Sequence, residues 1–364
     1  MTLVLENVGK VVGGETHIEG LNLELEPGSF NVLLGRTLAG KTTTMRMMAG
    51  LDQPTSGRIV HNGEDVTEVS VRKRSVAMVY QQFINYPSMT VRGNIAAPLK
   101  LAGVSKAEIE RRVRETAELM GMEALLDRYP SELSGGQQQR CAMARALVRE
   151  ADLILLDEPL LNLDYKLREQ MREELRNILS ERDSVVVYAT TEPVEALTLG
   201  GSTAILHEGR LLQYGSTIGV YHYPATIPVA QVFNDPPMNL IPATVDGQRL
   251  QLADGHDLPL PEHLGALSSG SYQIGIRPHH LERDMADESR LDIAGACELT
   301  EIMGSTSYVH LHEGGYAWVA QLDGVHDIAY GNRVELSVAP RHLYAFHQDG
   351  RLAVAPVSAH REGN

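Results

Sequence analysis

Nine residues, Gly35 to Thr43, read GRTLAGKTT. An apolar run, Phe30 to Leu34, ends where they begin, and a segment of helical spacing, Lys41 to Ala49, starts where they end. A glycine-rich turn from strand to helix leaves backbone N–H groups exposed at a helix N-terminus. There the summed peptide dipoles favour an anion. The spacing fits G-x-x-x-x-G-K-[ST], a loop that cradles polyphosphates. Gly35, Arg36, Thr37, Leu38, Ala39, Gly40, Lys41, Thr42 and Thr43 are the candidate nucleotide contacts. Lys41 reaches the β and γ phosphates, the Thr42 hydroxyl suits Mg²⁺, and Thr43 adds a donor near the α phosphate. Leu38 is an odd member, because a bulky residue in such a turn reaches positive φ only with strain.

Such a loop needs a strand behind it and an α/β core around it. Further strands are expected at Leu21–Leu25, Ser75–Tyr80, Leu153–Leu156 and Ser184–Ala189. Helices are expected at Lys106–Met120, Gly136–Val148 and Asp164–Leu179. The character changes at FNDPPMNLIP (Phe233–Pro242), where paired prolines read as a linker. Beyond it the alternation in YVHLH and RVELSV predicts a small antiparallel β domain. The expected division is a nucleotide-binding domain over 1–235 and a β domain over 236–364. The tail VSAHREGN is expected to fray.

Two more motifs carry chemistry. LILLDEP (Leu153–Pro159) is a buried strand ending in acids. Asp157 suits a Mg²⁺ contact and Glu158 suits a water to be oriented or deprotonated. LSGGQQQR (Leu133–Arg140) places a serine and two glycines before a long helix. That is a second anion-binding helix start in a chain with one phosphate loop. Its phosphate is therefore expected to belong to another chain.

Composition excludes some partners. Lys plus Arg is 32 against 47 for Asp plus Glu, a formal net charge of -15. A general nucleic-acid binder needs a basic footprint instead. The two cysteines, Cys141 and Cys297, imply no disulfide framework and fit a reducing compartment. No stretch is apolar enough to span a bilayer, and MTLVLENVGK does not read as a signal peptide. Met45, Met47 and Met48 read as packing, and His279 and His280 as structural or exposed.

Together these motifs resemble the ATP-binding subunits of ABC transporters, in the family's order. That order is the phosphate loop, Gln81 in MVYQQF, the signature Ser134, Gly135, Gly136 and Gln137, the acids Asp157 and Glu158, and a D-loop ending at Asp164. The last third, around MNLIPATV and IGIRPHHL, resembles the OB-like (TOBE) β domain of carbohydrate and polyol importers. The resemblance implies ATP and Mg²⁺ as cofactors, with Thr42, Gln81 and Asp157 around the metal. It implies Glu158 polarising the attacking water. It also implies a head-to-tail ATPase dimer, two transmembrane permease subunits, a substrate-binding protein acting indirectly, and a peripheral place on the cytoplasmic face of the plasma membrane. Gln81 and FINYPSMTV would face a permease helix.

Besides Leu38, the sequence departs from the family at two positions. Val12 stands where an aromatic stacks on adenine, and Thr191, in SVVVYATTEP, stands where a histidine contacts the γ phosphate. Threonine is shorter and carries no titratable nitrogen. Both departures fall on the phosphate-loop half of the site, while the signature half is intact. The expectation is a heterodimer with a second ATPase, the chain resembling the first ATPase of glycerol importers. The competing expectations are a catalytically weak regulatory subunit and a soluble ATPase of translation or DNA repair.

Overall fold

A computed structural model describes residues 2–82, 84–161, 163, 165–180, 183–283 and 290–357. The chain forms two compact units, Met1–Thr217 and Ile218–Asn364.

The first unit holds two sheets. The strands β1 (Leu3–Val12), β2 (Glu15–Leu25), β4 (Ser56–His61) and β5 (Glu64–Asp65) form an antiparallel sheet in the order β2-β1-β4-β5. The second sheet contains β3 (Phe30–Leu34), β6 (Val76–Val79), β7 (Leu153–Asp157), β8 (Val185–Thr190), β9 (Ser202–His207) and β10 (Arg210–Ser216). Its order is β10-β9-β3-β8-β7-β6, parallel except for the β10–β9 pair. Strands buried on both faces read as continuous apolar runs, and β7 and β8 are buried along their whole length. The helices are α1 (Lys41–Ala49), α2 (Val91–Leu101), α3 (Lys106–Leu119), α4 (Gly135–Leu147), α5 (Tyr165–Ser180) and α6 (Pro193–Leu199). Met45, Met47 and Met48 are buried in the core, as their spacing implied.

The parallel order decides where chemistry can occur. Because β8 lies between β3 and β7, three strand ends meet at one edge. These are the end entering the phosphate loop, the end at Thr190 and the end at Asp157. Ligands of open α/β sheets bind outside such carboxyl ends.

The second unit begins with the short helices α7 (Thr217–His222) and α8 (Ile227–Val232) and continues in two antiparallel sheets. One is β13-β12-β11-β14-β19-β20, with β11 Asn239–Asp246, β12 Arg249–Leu252, β13 Asp257–Pro259, β14 Gly270–Ile276, β19 Tyr344–His347 and β20 Leu352–Val354. The other is β17-β16-β15-β18, with β15 Leu291–Ile302, β16 Thr306–Glu313, β17 Tyr316–Asp323 and β18 Arg333–Val338. Both line one core that includes Ile241, Ile274, Val309, Trp318 and Leu336. The Asn239 side chain links the two sheets. It donates to Ile276 O and Val319 O and accepts from Val319 N at 2.8 Å.

The paired-proline stretch is not an exposed linker. Phe233 is buried, its ring edge-on to Tyr221 at 5.8 Å, and Asn239 to Pro242 already belong to β11. The compact second unit accordingly begins at Ile218, ahead of the boundary expected at 235/236. Proline and polar composition signals a break in hydrophobic pattern, and here the side-chain anchoring overrides it. His279 meets His280 edge-on at 4.4 Å, and His280 stacks on His342 at 4.1 Å. Burial pushes the first two down to about 4 and about 2, so all but a trace is neutral near pH 7. Among the described residues no group of three acidic, histidine or cysteine side chains is placed to hold a metal ion. Nor is any described helix long and apolar enough to cross a membrane. The tail from residue 358 and Asp164 lie outside the described residues.

Candidate active site

The loop from Gly35 to Gly40 is shaped by contacts that only small residues permit. A Cβ on Gly35 would lie 2.3 Å from Leu206 O on β9, so the loop leaves β3 against a neighbouring strand. Gly40 caps α1 with φ 99°, a left-handed conformation cheap only for glycine. Leu38 also has positive φ, 68°, and is 94% exposed. The bulky side chain thus stands away from the loop interior, at a cost of about 1–2 kcal/mol in backbone strain.

Lys41 is buried under the loop it serves. Its Nζ donates to Gly35 O at 2.8 Å and Arg36 O at 3.2 Å, and lies 3.2 Å from Glu158 Oε1. Glu158 comes from the turn after β7 with φ 46°, strained for a residue with a side chain. Its backbone N–H donates to Ala189 O on β8, and its other carboxylate oxygen accepts from Gln81 Nε2 at 3.2 Å. One acid is therefore clasped between the phosphate-loop lysine and the glutamine. Thr42 Oγ1 donates to Asp157 Oδ1 at 3.1 Å. Burial pushes the Asp157 carboxyl above the ordinary carboxylate range, the Thr42 bond pulls it down, and neighbouring Glu158 pushes it up again.

A cavity of about 660 Å³ opens on these groups. Of the residues singled out in the sequence, Thr37 to Thr43, Gln81, Glu158 and Thr191 line it. Gly35 and Arg36 contribute the carbonyls that hold Lys41, and Asp157 contributes the partner of Thr42. The cavity also takes Glu15, Thr16 and His17 from β2, and Glu208 and Gly209 from the turn after β9, none of which the motifs announced. A Glu-Gly turn after an apolar strand was the available signal for the last two. Nothing in sequence announces that β2 reaches the loop.

Ser134, Gly135, Gly136 and Gln137 do not line this cavity. They open α4 as a reciprocal cap, in which Ser134 Oγ accepts from Gln137 N at 3.4 Å and Gln137 Oε1 accepts from Ser134 N at 3.0 Å. Gly136 packs tightly, since a Cβ there would lie 2.6 Å from Leu167 Cδ2. Ser134 and Gly135 are exposed.

The two threonines ending β8 have different surroundings. Thr190 is buried. Its hydroxyl donates to Glu195 Oε2 at 2.6 Å and accepts from Glu192 N at 3.0 Å, while Tyr188 Oη donates to the same Glu195 oxygen at 3.1 Å. Burial pushes Glu195 upward and these hydroxyl bonds oppose it. Thr190→Val keeps the shape and removes both bonds. It should lower stability by about 1–3 kcal/mol, read as a fall in thermal midpoint, because a buried carboxylate loses a donor. Thr191, next along, points instead into the cavity.

A polyphosphate loop, a clasped acid and a hydroxyl–carboxylate pair at adjoining strand ends make this a P-loop ATPase site. Family models for an ABC transporter domain match residues 18–161, for the MalK OB fold 235–281 and for a TOBE domain 274–346. The chain is 38% identical over 348 residues to sn-glycerol-3-phosphate import ATP-binding protein UgpC 3 of Rhizobium etli, covering 94% of this chain and 96% of the relative. It is 39% identical to the trehalose/maltose import ATP-binding protein MalK of Thermococcus litoralis, over 96% and 98% of the two chains. It is 36% identical to the lactose transport ATP-binding protein LacK of Rhizobium radiobacter, over 95% and 98%. A solved dimeric post-hydrolysis structure of the ATP-binding cassette MJ0796, bound to ADP and Pi, aligns with TM-score 0.54 and 29% identity, over 59% of this chain and 98% of that one. The chain belongs to the ABC transporter ATP-binding proteins, within the branch that carries a MalK-type OB and TOBE tail, and is an ATPase.

Proposed function

We propose that this ATPase drives uptake of a polyol or sugar, glycerol being favoured, as one of two unlike ATPase chains beneath a pair of permease subunits on the cytoplasmic face of the membrane. Curated relatives named for a glycerol phosphate, for trehalose and maltose, and for lactose lie within 36–39% identity, so the solute class is supported and no single solute is singled out. Glycerol is favoured on the wording of GRTLAGKTT and YQQFINYPSMTV.

Within the cavity, Lys41 and the loop amides of Thr37 to Thr43 bind the phosphates. Thr42, Asp157 and Gln81 offer the hard oxygen donors that suit Mg²⁺, which would screen phosphate charge when bound. Glu158 orients the attacking water once the clasp with Lys41 and Gln81 opens. The Ser134–Gln137 turn, exposed at Ser134 and Gly135, serves the partner's phosphate loop.

The observation that carries the asymmetry is Thr191. It lines the same cavity as Lys41 and Glu158, as a short hydroxyl with no titratable nitrogen. This chain's own site therefore turns over slowly, and its signature turn completes a faster site on the partner. The test is ATP hydrolysis by the purified chain against the chain co-purified with a second ATPase chain of the proposed pair. Expected is at least tenfold lower turnover alone, and a several-fold gain with Thr191→His. Brisk turnover by the isolated chain, with no gain from histidine, would overturn the asymmetric reading and favour a self-sufficient homodimer.

A further inference from the structure

The cavity accounts for phosphate binding but leaves the base to be placed. A purine is held by a ring or apolar face on which its own π surface can stack. Val12 does not provide one. It ends β1 beside the Gly13–Gly14 turn, is 48% exposed, and does not line the cavity. Among the described residues that do, the only aromatic ring is His17.

Its position comes from an irregularity in the β1–β2 ladder. Val11 faces Thr16 and Lys10 faces Ile18, so His17 is an extra residue on β2 with no opposite number. From Ile18 onward the buried positions of β2 point into the core, and from Leu21 they alternate strictly with exposed ones. Glu15, Thr16 and His17 are by contrast three successive exposed residues lining one cavity, which a regular strand cannot arrange. A bulge re-aims a side chain in this way, and bulges gather beside active sites.

The bulge is fastened to the phosphate loop. Glu19 N donates to Gly209 O at 2.9 Å, and Gly209 N donates to Ala39 O at 3.1 Å. A Cβ on Gly209 would come within 2.4 Å of His17 O, and one on Gly40 within 3.3 Å. The His17 backbone is thus fixed beside the helix start that would hold the phosphates, and the exposed residue lines the cavity.

We infer that the imidazole of His17 is the stacking platform for the adenine of bound ATP, a specificity role moved from the hairpin tip to the bulge. The inference rests on this cavity being the ATP site. The experiment therefore titrates full-length protein with Mg-ATP and, separately, with Mg-tripolyphosphate, which has no base. For His17→Ala the Kd for ATP should rise about tenfold or more, the scale of removing a base-stacking ring. The Kd for tripolyphosphate should not change. His17→Phe should keep ATP affinity near wild type, and Val12→Ala should leave it unaltered. The inference is overturned by unchanged ATP affinity in His17→Ala, by equal losses for both ligands, or by His17→Phe being as weak as the alanine variant. If the wild-type chain bound neither ligand, the site reading itself would fail, and the inference with it.

Discussion

Lys41→Ala should lower ATP turnover by at least about 100-fold, the scale lost when one preorganised donor to transition-state oxygens is removed. The reason lies in the number of roles that one ammonium fills. It is 5% exposed, holds the carbonyls of Gly35 and Arg36, and sits 3.2 Å from the Glu158 carboxylate. Alanine deprives the phosphates of their cation, leaves two loop carbonyls without a donor, and strands a strained acid. Binding should weaken together with turnover. Lys41→Arg should not restore either, because a planar fork does not fit where a compact point charge threads a closed loop. Steady-state hydrolysis by the purified chain, in which only its own site turns over, checks the first statement. A thermal melt separates it from misfolding, since the sheet around the loop is anchored by its apolar core. Activity within threefold of wild type would refute the role given to Lys41.

Arg277→Ala should cost the second unit about 3–5 kcal/mol, the range for removing one member of a buried polar cluster along with its volume. Arg277 is 1% exposed. It donates to Asn234 Oδ1 at 2.6 Å, to Tyr344 Oη at 3.1 Å and to Tyr221 O, and its guanidinium lies over the Tyr221 ring at 3.7 Å. These contacts tie the end of β14 to α7, to the second residue after α8 and to β19. Truncation leaves three acceptors without a donor in a closed space. Arg277→Met, which keeps the bulk, should recover part of the loss. Two-step thermal unfolding, with the later sheet-rich transition moved down and nucleotide affinity unchanged, is the expected record. An unmoved transition would show that the cluster carries no stability.

Motifs built on local backbone chemistry were legible in the sequence. The turn at Gly35–Thr43, the acids closing β7 and the Ser134 cap each depend on residues a few places apart, and all lie where spacing put them. Apolar runs marked β3, β7 and β8 to within a residue or two. Elements held by distant partners were harder to read. The strand β1 carries Lys10, Gly9 and Asn7 among its apolar residues and owes its form to pairing with β2 and β4. The helix α2 contains Pro98 and was not anticipated. The same holds within the site. Thr191 could be singled out from its strand, but His17 could not, because its placement depends on a one-residue slip between two strands. The Phe233–Pro242 stretch shows the opposite error, in which prolines suggested freedom that Phe233 and Asn234 remove.

The neighbouring threonines at the end of β8 bear on how such chains diverge. Thr190 is committed to Glu195, Glu192 and the buried sheet, so drift there is penalised at once in folding. No described hydrogen bond ties the Thr191 side chain down, and the residue lines the cavity. A duplicated gene can therefore exchange chemistry at 191 while its product still folds, docks and presents an intact Ser134 turn. A change at 191 thus alters the site without a cost in the fold.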